Sequence, residues 1–286
     1  MAAGASAEAA PAPVGEETWL PSGHVRREAR VMTTIEITTP DGKCRTQIFG
    51  KGPGVVLVMD AGGPREALFS TAEKLAARGF AVAVPDLMYR VGSPFELLPE
   101  GKRDTPTFFA SMRGDQTFRA TLMEKYVKSA NSPAHVERDF GAILPALEPY
   151  FEPGPIGITG YCMGGSIALR VATLFPARIA AVTAFHAGYL AHPGPDSPHL
   201  GLPNTRATVF VAGAMEDPTF SDEIRERLIA ALEAAKVKHT VETWQGKHGF
   251  AVPDFPVFDA ALFERHLNVM STLFSSEIRG AAARNH

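Results

Sequence analysis

Only two cysteines, Cys44 and Cys162, occur in 286 residues. Two thiols cannot make a disulfide framework or a four-cysteine metal site, and their scarcity suits a reducing compartment, so a cytoplasmic setting is expected. Excess positive charge is missing too: 28 Lys and Arg against 31 Asp and Glu leave a formal net charge of -3. Nucleic acid and anionic membrane surfaces are held by clustered positive charge, so neither is expected as a partner, whereas a small molecule is. A targeting signature is also lacking. Residues 1–14 are rich in alanine and proline but have neither a basic start nor a continuous apolar block. They read as part of a disordered leader over residues 1–30, not as a signal peptide or membrane span.

The remainder, residues 31–286, has enough chain and apolar content to bury a large core as one α/β domain. Two β-prone runs, 34–39 and 44–49, flank the turn-forming Pro40-Asp41-Gly42-Lys43 and predict an antiparallel hairpin. Beyond it, apolar runs alternate with helical stretches. Strands are expected at 55–59, 80–84, 156–159, 179–185, 208–212 and 240–244, and helices at 66–78, 136–147, 166–174, 222–235 and 257–274. Such alternation implies crossover units and a mostly parallel sheet with helices on both faces. Residues 91–133 break the rhythm, being rich in Pro, Gly, Arg and Phe with one amphipathic stretch near 116–128. They read either as a lid-like insertion that shapes specificity or as an edge helix with surface loops.

Gly160-Tyr161-Cys162-Met163-Gly164-Gly165 lies between an apolar run and a helical stretch. A strand, a sharp turn and a helix with a side chain at the tip form a nucleophile elbow, here carrying sulfur where G-x-S-x-G carries a hydroxyl. The glycines allow close approach of neighbouring backbone, and the helix N-terminus favours an anion, which suits a thiolate at Cys162. The α/β-hydrolase order, nucleophile then acid then histidine, continues downstream. Gly213-Ala214-Met215-Glu216-Asp217 follows one expected strand and Lys247-His248-Gly249-Phe250 follows the next. A cysteine nucleophile needs a base and a group that orients the base; His248 and Asp217 fit these roles. Glu216 competes for the acid role. His186, His192, His199, His239 and His266 compete with His248, which is favoured by its Gly-rich loop and late position. Two N–H donors are needed for an oxyanion, and Met163 and Ala61 are the candidates. His186 closes a strand, either as a wall or contact of the same pocket or as a core histidine paired with backbone. His192 and His199 sit in a Pro-rich loop without a matching carboxylate cluster, so no metal is assigned.

These motifs, with Val84-Pro85-Asp86-Leu87-Met88-Tyr89-Arg90, resemble the dienelactone hydrolase family from about Thr34 onward. The resemblance implies a single α/β-hydrolase domain with a Cys162-His248-Asp217 triad that hydrolyses lactones or small carboxylic esters and needs no cofactor. It implies that an acidic residue before the oxyanion loop gates the resting thiol. Asp60 holds that place, in a shorter loop than the family's glutamate-bearing one. It also implies two arginines for a substrate carboxylate; Arg90 matches the first, and Val252 stands where the second would be. Tyr161 in the elbow and Phe250 in the histidine loop join His186 as candidate substrate-binding or thiol-gating residues. A thioesterase or acyl transferase could use the same triad, and a non-catalytic ligand-binding protein could use the same fold.

Overall fold

Pro40 and Asp41 reverse the chain between β1 (Met32–Thr39) and β2 (Gly42–Phe49), which pair antiparallel with Thr39 opposite Gly42. The computed structural model describes residues 32–279. The leader expected at residues 1–30 lies outside them. β3 (Pro53–Val58), β4 (Ala81–Pro85), β5 (Glu152–Tyr161), β6 (Ile179–Phe185), β7 (Thr208–Ala214) and β8 (His239–Trp244) complete one eight-stranded sheet. The spatial order is β1-β2-β4-β3-β5-β6-β7-β8. Only the β1–β2 and β2–β4 pairings are antiparallel; the other five are parallel. This is the mostly parallel α/β-hydrolase sheet with an initial hairpin.

β3 and β4 are buried at every position. A strand covered on both faces has no need to alternate polar and apolar residues, which is why Val55-Val56-Leu57-Val58 runs on without a break. The covering helices are α1 (Glu66–Ala76), α5 (Pro133–Leu147), α6 (Met163–Leu174), α7 (Asp222–Ala234) and α8 (Ala260–Phe274). α1 packs beside α8, and α5 beside α6. α8 starts three residues later than periodicity predicts, because the Asp259 side chain accepts from Leu262 N–H and caps it there.

Residues 91–133 are far more ordered into helix than their composition suggests. They carry a 3-10 turn (Pro94–Leu97), α2 (Thr105–Gly114), α3 (Gln116–Thr121), a π turn (Leu122–Val127) and α4 (Lys128–Asn131). Asp104 caps α2 and Asp115 caps α3; the amphipathic stretch expected near 116–128 is α3 continued by the π turn, and α2 is an additional helix before it. Phe95 stacks on Phe108 with ring centroids 4.7 Å apart, and Phe118 meets Phe108 edge-on at 5.4 Å. Phe109 lies 4.1 Å from Phe255, in the loop between β8 and α8. That contact ties the insertion to the segment that carries His248.

Candidate active site

Cys162 follows β5 directly and is the N-cap of α6, with φ 53° and ψ -121°. A non-glycine residue held there stores about 1–3 kcal/mol of strain, sustained only by a surrounding structure that leaves no alternative. The surroundings are tight enough to do so. A Cβ at Gly160 would lie 2.0 Å from the Gly164 carbonyl oxygen, and one at Gly164 would lie 2.4 Å from the Met59 carbonyl oxygen. Four of the five non-glycine residues with positive φ among the described residues are Cys162, His186, Tyr189 and Glu216. They sit just beyond the carboxyl ends of β5, β6 and β7, so backbone strain is concentrated along one edge of the sheet, as at functional sites. Cys162 is partly exposed there, whereas Cys44 is buried and its thiol is pushed up to about 12 by burial.

β7 and β8 deliver the other two groups. His248 Nδ1 lies 2.6 Å from Asp217 Oδ2. Thr219 secures the acid by donating to Asp217 Oδ1 from its backbone N–H at 2.9 Å and its hydroxyl at 2.7 Å. Glu216, the competing acid, is exposed. The Cys162 sulfur is near enough to His248 to act on its charge, and with Nδ1 committed to Asp217, Nε2 is the nitrogen left to face sulfur. Burial opposes charge on this imidazole, but the neighbouring Cys162 sulfur and the Asp217 carboxylate outweigh it and lift His248 to about 10. Burial likewise opposes charge on Asp217, yet the His248 and Thr219 hydrogen bonds hold it below the usual carboxylate value. The histidine loop is tied to the acid loop by Met215 N–H, which donates to the Gly246 carbonyl at 2.8 Å.

Met163 N–H is the first of α6 and lies outside its intrahelical ladder. In the loop after β3, Gly62 N–H donates to Asp60 Oδ1 and Gly63 N–H to the Asp60 carbonyl, which leaves Ala61 N–H uncommitted between them among the described residues. The Asp60 carboxylate is fully engaged: Oδ1 also accepts from Arg65 Nη1 at 2.8 Å, and Oδ2 from Arg65 Nη2 at 3.0 Å.

The remaining candidates fall in different places. His186 is fully buried, with its ring centroid 5.2 Å from that of His248 and 5.3 Å from that of Phe250. Neither ring nitrogen has a partner among the described residues, so the imidazole is not paired with backbone. Burial and the charge on His248 hold it neutral. Phe250 is wedged between His186 and Trp244. Tyr161 turns into the core instead, where its hydroxyl meets His266 Nε2 of α8 at 3.0 Å. Arg90 forms a fork on Asp139, at 2.9 Å to Oδ2 and 2.5 Å to Oδ1, and also binds Asp41 of the hairpin turn at 2.7 Å. With Asp139 1% exposed, this is a buried ion pair that fastens the hairpin to α5. Val252 is buried.

Sequence reasoning missed Thr219, Arg65, Asp254 and Phe255. Asp-Pro-Thr is a turn in which an aspartate accepts from the residue two positions on, so Thr219 had a local signal. Arg65 and Asp254, 189 residues apart, had none. No group of three His, Cys, Asp or Glu among the described residues is placed to hold a metal, and no described helix is long and apolar enough to cross a membrane.

Comparison with known proteins agrees with this architecture. The chain is 22% identical over 236 residues to the "Putative carboxymethylenebutenolidase" of Synechocystis sp., which covers 80% of this chain and 88% of that protein. Its fold superposes on the "Putative Dienelactone Hydrolase" of Klebsiella pneumoniae with a TM-score of 0.72 at 19% identity, over 87% of this chain and 99% of the other. A dienelactone hydrolase-like promiscuous phosphotriesterase from metagenomic libraries gives a TM-score of 0.62 at 23% identity, over 86% and 99%. The sequence model of the dienelactone hydrolase family matches residues 41–278, from the hairpin turn almost to the end of the described chain. That span takes in the elbow and both later loops, and the chain therefore belongs to the dienelactone hydrolase family and is a hydrolase.

Proposed function

We propose that this hydrolase opens a small lactone or carboxylic ester through a thioester on Cys162. The observation that carries the reading is the single relay from Asp217 through His248 to Cys162, assembled at a strained elbow. At neutral pH the raised affinity of His248 for its proton supports an imidazolium beside the Cys162 sulfur. Sγ attacks the carbonyl carbon; the carbonyl electron pair moves to oxygen, which the Met163 and Ala61 N–H groups receive. Each such donor is worth about 2.7–4 kcal/mol in the transition state. Collapse expels the alkoxide, which takes the His248 proton, and leaves a thioester. The charge on sulfur, a leading cause of the raised His248 value, is then gone, so the imidazole is free to act as base. It takes a proton from water as the water oxygen attacks the thioester, and the C–S bond breaks to return thiolate and carboxylic acid.

The substrate in this reading is uncharged near the reacting carbonyl. Arg90 is committed to Asp139 and Asp41, a valine stands at position 252, and Arg65 is shared between two carboxylates. Lys247 is exposed and solvated. The insertion at 91–133 walls the pocket, supported by the Phe109–Phe255 contact with the histidine loop. The two unpaired thiols suit a reducing cytoplasm.

A burst of nitrophenolate from nitrophenyl acetate, equal to the enzyme concentration and followed by slower turnover, is expected; release without acyl-enzyme would overturn the thioester. Neutral lactones and esters should be preferred over carboxylated analogues by at least about tenfold in kcat/KM. Arg90→Ala should leave that ratio unchanged while lowering stability by about 3–5 kcal/mol, because Asp139 would be left buried without its partner. Denaturant melts and a paired substrate panel read both effects. A selective loss of carboxylated substrates in Arg90→Ala would assign the arginine to substrate instead.

A further inference from the structure

We infer that Arg65 is a positioning residue, a strut that fixes the Ala61 N–H relative to the histidine loop. The inference rests on the reading above and names how that site holds its geometry. Arg65 stands immediately before α1, its side chain 10% exposed. One edge of its guanidinium grips Asp60, Nη1 to Oδ1 at 2.8 Å and Nη2 to Oδ2 at 3.0 Å. The other edge grips Asp254, Nε to Oδ2 at 2.7 Å and Nη2 to Oδ1 at 2.8 Å. Nη1 also donates to the Gly63 carbonyl at 3.1 Å. Both edges of a rigid planar group are therefore used bidentately, a geometry that lysine cannot reproduce.

The two carboxylates belong to the two loops whose spacing matters. Asp60 organises the turn 60–63 through Gly62 N–H and its own carbonyl, which leaves Ala61 N–H free. Asp254 sits six residues past His248, in a loop closed by Val252 N–H on the Gly249 carbonyl and Phe255 N–H on the Val252 carbonyl. Phe255 of the same loop lies under the Arg65 guanidinium at 5.8 Å. His248 has an anchor of its own in Asp217. The oxyanion loop's ion pair to the histidine side of the site runs through Arg65 alone among the described residues. Cutting the strut should thus let Ala61 N–H drift while the His248–Cys162 pair stays intact. An N–H donor displaced by about 1 Å can lose a hundredfold in rate.

Asp254→Ala cuts the strut at its more exposed arm and keeps the buried Asp60–Arg65 pair. Burst rates with nitrophenyl acetate are compared with iodoacetamide alkylation of Cys162, which forms no oxyanion. The strut predicts acylation slowed roughly ten- to hundredfold, carried by the burst rate constant and not by KM, with alkylation within about twofold of wild type. Arg65→Lys, which keeps charge and loses the fork, should show the same split. Equal acylation in wild type and both variants overturns the strut, as does a parallel fall of acylation and alkylation, which would mark general loss of structure. A wild-type protein that gives no burst overturns the acyl-transfer reading and the strut together, whereas a burst retained in full by the variants overturns the strut alone.

Discussion

Cys162→Ala is expected to lower ester turnover by on the order of 10⁴-fold or more, to the level left by binding and oxyanion stabilisation. The fold should survive, because a partly exposed thiol at a helix N-cap contributes little packing, and circular dichroism with a thermal melt checks this. The same variant carries a second readout. The Cys162 sulfur is a leading reason that His248 lies near 10, ahead of the Asp217 hydrogen bond. Its removal leaves burial opposed by Asp217 alone, so the imidazole should titrate at markedly lower pH in Cys162→Ala, followed by NMR of the ring protons. In wild type the sign runs the other way. The imidazolium persists as pH rises and is lost through about 10, so turnover of an alkyl ester, whose leaving group needs that proton, should fall over this range. A nitrophenyl ester, whose leaving group needs none, should not show the same fall. An unshifted His248 in Cys162→Ala would mean that sulfur and imidazole are not coupled, and full turnover would remove the nucleophile.

Gly160→Ala is expected to be strongly destabilising although it adds a single methyl group. The new Cβ would sit 2.0 Å from the Gly164 carbonyl oxygen and 2.2 Å from its carbonyl carbon. Both atoms are backbone, held in place by β5 and the first turn of α6, so no flexible side chain can yield. Relief requires the strand and helix to separate. The cost is expected to exceed about 3 kcal/mol, equivalent to roughly a 10 °C drop in melting temperature for a domain of this size. Gly141→Ala is the matched control, because a Cβ there meets nothing within 4 Å; its removal of backbone freedom from a helix should be neutral or slightly stabilising. Equal melting temperatures for the two variants would show that the elbow has slack despite these close backbone contacts.

The elbow was legible because its requirements are local. Gly160, Gly164 and Gly165 mark a place where backbone meets backbone, and Cys162 between them can be placed from the strand and helix patterns alone. Asp217 and His248 were legible by order, each following a strand, and the two strands pair in parallel and end at the same edge of the sheet. Arg90 shows the limit of that reasoning. Its position after β4 matched a substrate-binding arginine, but whether a guanidinium faces a ligand or a carboxylate depends on what α5 and the hairpin bring to it. Here they bring Asp139 and Asp41. Tyr161 is a similar case: adjacent to Cys162 in sequence, it ends β5 with its side chain fully buried, and its hydroxyl finds His266 of α8.

By itself the sequence determined the α/β alternation, the initial hairpin, the elbow with its thiol, and the order in which acid and histidine arrive. Each of these is written in short-range periodicity, turn chemistry or the steric demand for glycine. Tertiary structure alone decided which charged side chains face one another: Arg65 between Asp60 and Asp254, Arg90 on Asp139, and the bare imidazole of His186 beside His248. Apart from Arg65 on Asp60, five positions away, those pairings join residues from 49 to 189 positions apart. They are set by how strands and helices pack around a shared core, which no local pattern encodes.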